Sequence, residues 1–211
     1  MSMGLFSKKS TCDICNSNKG KEVKDGFVCN ECWNKTGDFG SPLTSHKNLA
    51  TLNQIKERIK LNDQWNIEQN KRKNIFCYTM VIGDKLLVDE ENRLWCINIG
   101  TIKPKPSNVI YSVDDIEDYE LEENGESIVK GSLVRTAMGG IAFGTMGAII
   151  GNASSKKIQE ICNRLVIKVT IKNQYYPIRI DLITKETKKN SFMYKSMLSN
   201  AEKILKYFDK M

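Results

Sequence analysis

The period of the hydrophobic positions changes several times along this chain, and each change marks an element. From Thr51 the large apolar residues fall at Leu52, Ile55 and Ile59, the spacing of one helical face, with Lys56, Arg58 and Lys60 largely opposite and Thr51 placed to cap. After Leu61 the pattern turns polar. Between 62 and 74 only Trp65 and Ile67 are large and apolar, so this stretch reads as an exposed helical arm or a spacer. Beyond Ile75 the period shortens to that of strands, at 75–82, 85–89 and 93–99, with turn residues at Gly83-Asp84 and Glu91-Asn92. Pro104 and Pro106 break this antiparallel meander. Shorter strands follow at 109–112, 118–122 and 127–130, with Asn124-Gly125 as a hairpin signal. The cleanest alternation is Leu165, Ile167, Val169 and Ile171, then Ile178, Ile180 and Leu182 across a turn near Asn173-Gln174, which predicts two paired strands. Met197, Leu198, Ala201, Ile204, Leu205 and Phe208 then return to helical spacing, the stripe of an amphipathic closing helix with Lys195, Lys203, Lys206 and Lys210 outside.

One segment fits neither period. Ala137, Gly140, Gly144, Gly147 and Gly151 recur at 3-4-3-4 spacing, which would align them on one helical face; Ile141, Phe143, Met146, Ile149 and Ile150 make the remainder apolar too. Each glycine costs roughly 1 kcal/mol against alanine in a helix interior, so such a seam makes sense where another backbone packs closely. The apolar run 132–150 approaches the roughly 20 residues needed to cross a bilayer core. Lys130, Lys156 and Lys157 flank both ends, so charge assigns no orientation. A single span would divide the strands before it from those after it. The first expectation is therefore an insertion packed within the chain or between subunits, with membrane contact as the alternative.

Composition changes the picture most at the N-terminus. Of seven cysteines, Cys12 and Cys15 form one C-x2-C pair and Cys29 and Cys32 a second, with residues 16–28 between them. That is the spacing of a structural tetrathiolate zinc site, in which four sulfurs fill the tetrahedron and leave no position for water. Zn2+ is the predicted cofactor, with a structural role. The only histidine, His46, lies beyond Pro42 and reads as a linker residue, while Cys77, Cys96 and Cys162 sit among apolar residues as small hydrophobes. The absence of an N-terminal apolar run and the odd cysteine count point to the cytoplasm rather than to a secreted disulfide framework.

The net charge of +7 is uneven, because residues 114–126 carry acidic charges only. Lys71, Arg72 and Lys73, and the lysines after 184, form the basic counterpart; the first three are candidates for contact with an anionic surface. The elements predict an α+β chain. Residues 1–46 would form a zinc ribbon or treble clef and 47–74 a linker helix. Residues 75–211 would form an antiparallel body with a glycine-rich helical insertion at 131–155 and a closing helix at 192–210. Six to eight antiparallel strands closed by a helix is the order of a pleckstrin-homology-like barrel.

Met3-Gly4-Leu5-Phe6 followed by lysines, the two C-x2-C pairs with Asp25-Gly26 before the second, Lys130-Gly131, the run Met138-Gly139-Gly140-Ile141-Ala142-Phe143-Gly144, and Gly147-Ala148-Ile149-Ile150-Gly151 carry a further likeness. Together they resemble a family of bacterial and phage zinc-finger proteins with a glycine-rich insertion between strands of a domain that ends in a helix. Met1-Ser2 before Met3 departs from the family's opening. The resemblance covers most of the chain and implies zinc binding without an activity. By association, it also implies a setting in phage and host conflict.

No nucleophile elbow, phosphate-binding glycine loop or histidine-paired nucleophile is present, so no enzyme is predicted. The expected function is a zinc-stabilised binding or adaptor protein that recognises a protein partner and forms a homo-oligomer through Ala137, Gly140, Gly144, Gly147 and Gly151. One alternative is a membrane-acting effector or superinfection-exclusion factor that inserts residues 132–151. Another is nucleic-acid binding by the head and basic linker, with Phe27 and Trp33 stacking on bases.

Overall fold

Three-residue strands hold only when paired at once, and in the N-terminal unit Lys21–Val23 (β1) and Gly26–Val28 (β2) form an antiparallel hairpin. Asn30–Asn34 (α1) follows directly. Leu52–Ile75 (α2) opens on a capping box: Gln54 N donates to Thr51 Oγ1 at 3.2 Å and Thr51 N donates to Gln54 Oε1 at 2.9 Å. Leu52, Ile55 and Ile59 pack against Val23, Val28 and the cysteines, and Leu52 N donates to Asp25 Oδ1 at 2.7 Å. The computed structural model describes residues 10–17, 19–37, 49–130, 161–172, 174 and 176–210. It divides the chain into two units, Met1–Lys71 and Arg72–Met211.

The polar stretch after Leu61 is helix throughout, since Gln, Glu, Lys and Arg are good helix formers whose heads stay in water. It also absorbs the first residues that strand periodicity claims, so the first strand of the body is Met80–Ile82 (β3). Leu86–Asp89 (β4), Leu94–Ile97 (β5) and Tyr111–Ser112 (β6) complete one four-stranded antiparallel sheet in sequence order. Ile116–Glu123 (β7) and Glu126–Lys130 (β8) form a hairpin at Asn124-Gly125, where φ is 50° and 91°, the left-handed turn that this dipeptide favours. The short strands Ile161–Cys162 (β9) and Thr187–Lys188 (β12) pair with each other. Leu165–Ile171 (β10) and Ile178–Ile183 (β11) extend the second main sheet, whose order is β11-β10-β7-β8. Phe192–Asp209 (α3) closes the body, with Ser191 Oγ accepting from Tyr194 N at 3.2 Å. Among the described residues no helix is long and apolar enough to cross a membrane.

One core joins both sheets to α3. Leu86, Val88 and Trp95 contribute from the first sheet, Tyr119, Leu121, Ile167, Val169 and Ile180 from the second, and Ala201, Ile204, Leu205 and Phe208 from the helix. The alternation of β10 and β11 is realised as Ile167 opposite Ile180 and Val169 opposite Ile178. The inner strands β4 and β5 are buried on both faces, which explains their unbroken apolar runs. On the far face of the first sheet Leu87, Leu94, Cys96 and Ile110 form a second cluster, against which Phe76 packs.

The acidic stretch departs from a simple solvated strand face. Tyr119 and Leu121 face the core opposite Val169 and Ile167, and a register shift at Thr170/Ile171 pairs Ile171 with Ile116 so that Ile116 packs against the same core. Glu122 and Glu123 are buried, and each meets a lysine. Lys168 lies between Glu122 and Glu120, while Lys189 Nζ is 2.7 Å from Glu123 Oε2. Arg93 pairs with Asp114 at 2.6 Å. The acids fix β7 against its neighbours, because unpaired carboxylates at that depth would be costly.

Asp89 is the other buried acid. Burial alone would raise its pKa, but N–H donors from Cys77 at 2.8 Å and from Asn92, backbone at 3.0 Å and side chain at 2.9 Å, hold it below the ordinary carboxylate range. A depressed pKa stabilises the fold above the unfolded value of about 3.9, and the contribution is lost as pH falls through the folded value. Asp89→Asn is expected to cost about 2 kcal/mol at pH 7, the scale of hydrogen bonds to a charged group. Urea unfolding at pH 7 and pH 3 checks this, with the gap between variant and parent narrowing at the lower pH.

Candidate metal centre

The first cysteine pair precedes the β1–β2 hairpin and the second begins α1, an order of knuckle, hairpin and helix that converges four side chains. Cys12 N donates to Ser17 O at 2.8 Å and Asn16 N to Cys12 O at 2.8 Å, with Asn16 at φ 60° closing the knuckle. Asp13 ties the knuckle to the hairpin by accepting from Phe27 N at 2.7 Å. Cys29 is the N-cap of α1, and its sulfur accepts from Cys32 N at 3.4 Å.

The four sulfurs of Cys12, Cys15, Cys29 and Cys32 all lie within 4.8 Å of one another, and Cys15 Sγ is 3.6 Å from Cys29 Sγ. Tetrahedral thiolates about 2.3 Å from one ion would stand roughly 3.8 Å apart, so the cluster has the dimensions of a metal cage. Cys12, Cys29 and Cys32 are buried and Cys15 is exposed. Thiolate charge is supported by the backbone: Cys29 N donates to Cys12 Sγ at 3.3 Å, and the N–H of Cys32 leads the interactions that bring Cys29 down to about 6. At Cys12 burial works upward, but the N–H groups of Cys29, Cys15 and Ile14 outweigh it and the net direction is down. Cys32 is pushed up by burial and by the side chains of the other three cysteines. The donor set fits a soft or borderline cation in a closed site.

The spacing of the sequence found all four cysteines that the structure brings together. It did not find the supporting groups: the N–H donors of Cys29 and Cys32, and Ser17, whose hydroxyl lies 3.4 Å from Cys15 Sγ. Only the Cys32 donor has a local signal, the C-x2-C turn that points its N–H at the Cys29 sulfur; the Cys29 donor reaches Cys12 across the hairpin. Trp33, a candidate base-stacking residue, packs against the head's own core.

The basic triplet separates. Lys71 and Lys73 are exposed, but Arg72 is 13% exposed, pairs with Asp115 at 2.8 Å and donates to the Ile110 carbonyl at 3.4 Å. These contacts make Arg72 part of the body's own structure. Helical position explains the difference, since consecutive residues point about 100° apart.

Ala137, Gly140, Gly144, Gly147 and Gly151 lie outside the described residues, but the attachment points of their segment are defined. β8 and β10 flank β7 on opposite sides and both run antiparallel to it, so they are parallel to each other. β8 ends beside Glu120, whereas β10 begins beside Glu123. Parallel neighbours of a shared strand need a long crossover, and residues 131–160 together with β9 supply it. The family model described as glycine zipper containing PH domain matches residues 71–185, which take in both main sheets and the connection between β8 and β9. The chain belongs to this family. In glycine zipper PH terms, residues 71–185 are the family domain, the four-cysteine head precedes it and α3 follows it. No curated protein and no solved structure matches the chain.

Proposed function

We propose that this glycine zipper PH protein is a non-enzymatic binding or adaptor protein whose four-cysteine head holds structural zinc and whose glycine segment assembles copies of the chain. The crossover topology carries this reading. Both ends of the segment are tied into one sheet, so a single bilayer crossing would place two strands that share β7 on opposite sides of a membrane. A seam of glycines at 3-4 spacing is then best used against a second such seam, where close backbone approach yields van der Waals contact and Cα–H···O bonds. Zinc follows from four thiolate donors of tetrahedral dimensions without a carboxylate or imidazole among them. The single histidine and the absence of nucleophile motifs support a non-catalytic role.

Light scattering in detergent-free buffer tests the assembly. The parent chain is expected as a discrete oligomer, and Gly140→Leu/Gly144→Leu/Gly147→Leu as a monomer, because three side chains on the seam hold the backbones apart. A parent that stays monomeric at high concentration rejects the reading.

One observation favours a second reading, peripheral membrane contact. Asn98 Oδ1 accepts from Gly100 N at 3.0 Å and Lys105 N at 2.9 Å, which fixes a loop that carries Ile102, 94% exposed, beside Lys103 and Lys105. An apolar tip with basic flanks suits an anionic bilayer, at about 1 kcal/mol for each lysine near the surface. Flotation with anionic liposomes separates the readings. A membrane protein of this design floats, and loses flotation with Ile102→Glu or without residues 132–151. Equal flotation with and without those changes removes this reading.

A further inference from the structure

We propose that the groove between β3 and α3 docks an extended acidic peptide, which joins the body as an added strand on the outer edge of β3. This rests on reading the body as a binding module but is independent of assembly through the glycine seam. Among the described residues β3 has β4 on one side and no strand on the other. Alternate residues of an edge strand direct N–H and C=O groups outward, a template for main-chain pairing. α3 runs beside this edge and is locked to it at one end. Gly83, at φ 55°, brings the β3–β4 turn so close that a Cβ there would lie 2.9 Å from the Asn200 carbonyl oxygen. From that lock the two elements enclose a groove of about 730 Å³, with Val81 and Ile82 on the strand side and Lys203, Lys206, Tyr207 and Lys210 on the helix side.

Three features select the occupant. Val81 is 39% exposed, an apolar contact for the peptide's inner side chain. Lys203, Lys206 and Lys210 follow one another every three or four residues, roughly 4.5–6 Å along the helix axis, within side-chain reach of the roughly 6.7 Å between alternate residues of a strand. Acidic side chains at every second position therefore meet one lysine each, and the Glu202 pairing of Lys206 exchanges for the peptide carboxylate. Finally, Tyr207 is 7% exposed and its buried hydroxyl has no hydrogen-bond partner among the described residues. A peptide carbonyl or carboxylate supplies the acceptor that this group lacks. The two acids of the lining, Asp84 and Glu90, stand in the turns before and after β4, so the helix side is basic along its length. A free phosphate would need the cations to converge on one point; here they are strung out along an edge that offers backbone pairing, the arrangement of strand addition.

The test uses the full-length, metal-loaded chain and a fluorescein-labelled heptapeptide of alternating valine and glutamate, followed by anisotropy. Binding is expected, with hydrogen-exchange protection at 79–83. Lys203→Glu/Lys210→Glu, both at exposed positions, should weaken it at least tenfold while leaving the thermal transition unchanged. The same peptide with lysine for glutamate, or N-methylated at alternate amides, should not bind. Absence of binding, protection elsewhere, indifference to charge reversal or N-methylation, or displacement by anionic vesicles would each overturn the proposal. Light scattering on the same samples keeps the tests apart: peptide binding by a monomeric chain retains the groove and rejects assembly.

Discussion

Cys29→Ser is expected to release the metal and unfold the head while the body keeps its own transition. The head has little else to hold it. Its cluster consists of Val23, Val28, Ala50, Ile55 and three of the four cysteines themselves, with Ile14, Trp33, Leu52 and Ile59 at the margin. Its strands are three residues each and α1 is five, lengths that are not stable alone. Metal binding to such a site supplies on the order of 10–16 kcal/mol, which in a module this small is the folding free energy itself. Serine offers no thiolate, and Cys29 is both a member of the four-sulfur cluster and the N-cap of α1, so its loss removes two supports together. The body's core shares no residue with the head's cluster, so its melting should move little. Metal content per chain and limited proteolysis read the two halves of the prediction: metal falls to near zero, residues 10–37 become cleavable, and the body resists. A strong chelator should reproduce the result in the parent protein.

Trp95→Ala is the second large effect, and it falls on the body. Trp95 is fully buried on β5, with its ring 4.8 Å from Tyr111 and 5.4 Å from Phe208; Phe208 in turn lies 5.6 Å from Tyr119 of the second sheet. The ring therefore links the first sheet to α3 and, through Phe208, to β7. Removing such a ring costs about 3–5 kcal/mol. The indole Nε1 has no hydrogen-bond partner among the described residues, so the parent already carries a penalty that the variant relieves. The loss should lie near the lower figure, about 3 kcal/mol, and lower the body's melting temperature on the order of 10 °C. Trp95→Phe keeps most of the packing and drops the unpaired N–H, so it should cost less than about 1.5 kcal/mol. Calorimetry on both variants checks the order, and an equal loss in the two would show that the cavity is not what matters.

Much of the body is legible from periodicity because β10 and its edge-strand partner β11 alternate between buried and half-buried positions along much of their length. α3 is legible for the same reason in helical form. β4 and β5 fall where 85–89 and 93–99 read as strands, although both are covered on each face and their apolar runs carry little period. One region is not legible. The end of α2 reads as strand from Ile75 onward because Ile75 and Phe76 are β-prone. The helix carries through Ile75, where Arg72, one turn earlier, reaches Asp115 and the Ile110 carbonyl. That tertiary pairing is invisible to any local window. The same holds for β7, whose acids look solvated until Lys168 and Lys189, distant in sequence, are placed beside Glu122 and Glu123.

The four-cysteine cluster was legible, since two C-x2-C pairs bring four sulfurs together. The groove was not: its lysines read as the wet face of α3, and only the adjacency of an edge strand gives them an object. The glycine seam is legible in composition, and the family match places it within a PH domain.

Native mass spectrometry of the full chain, in the absence of detergent, tests the central claim most directly because it counts chains and metal ions in the same particle. A zinc-held head on a body that assembles through its glycine seam predicts one discrete oligomer with one zinc ion per chain. It also predicts dissociation to zinc-loaded monomers when Gly140, Gly144 and Gly147 are replaced by leucine. A parent protein found as monomers at every concentration, or an oligomer unchanged by those substitutions, would contradict it.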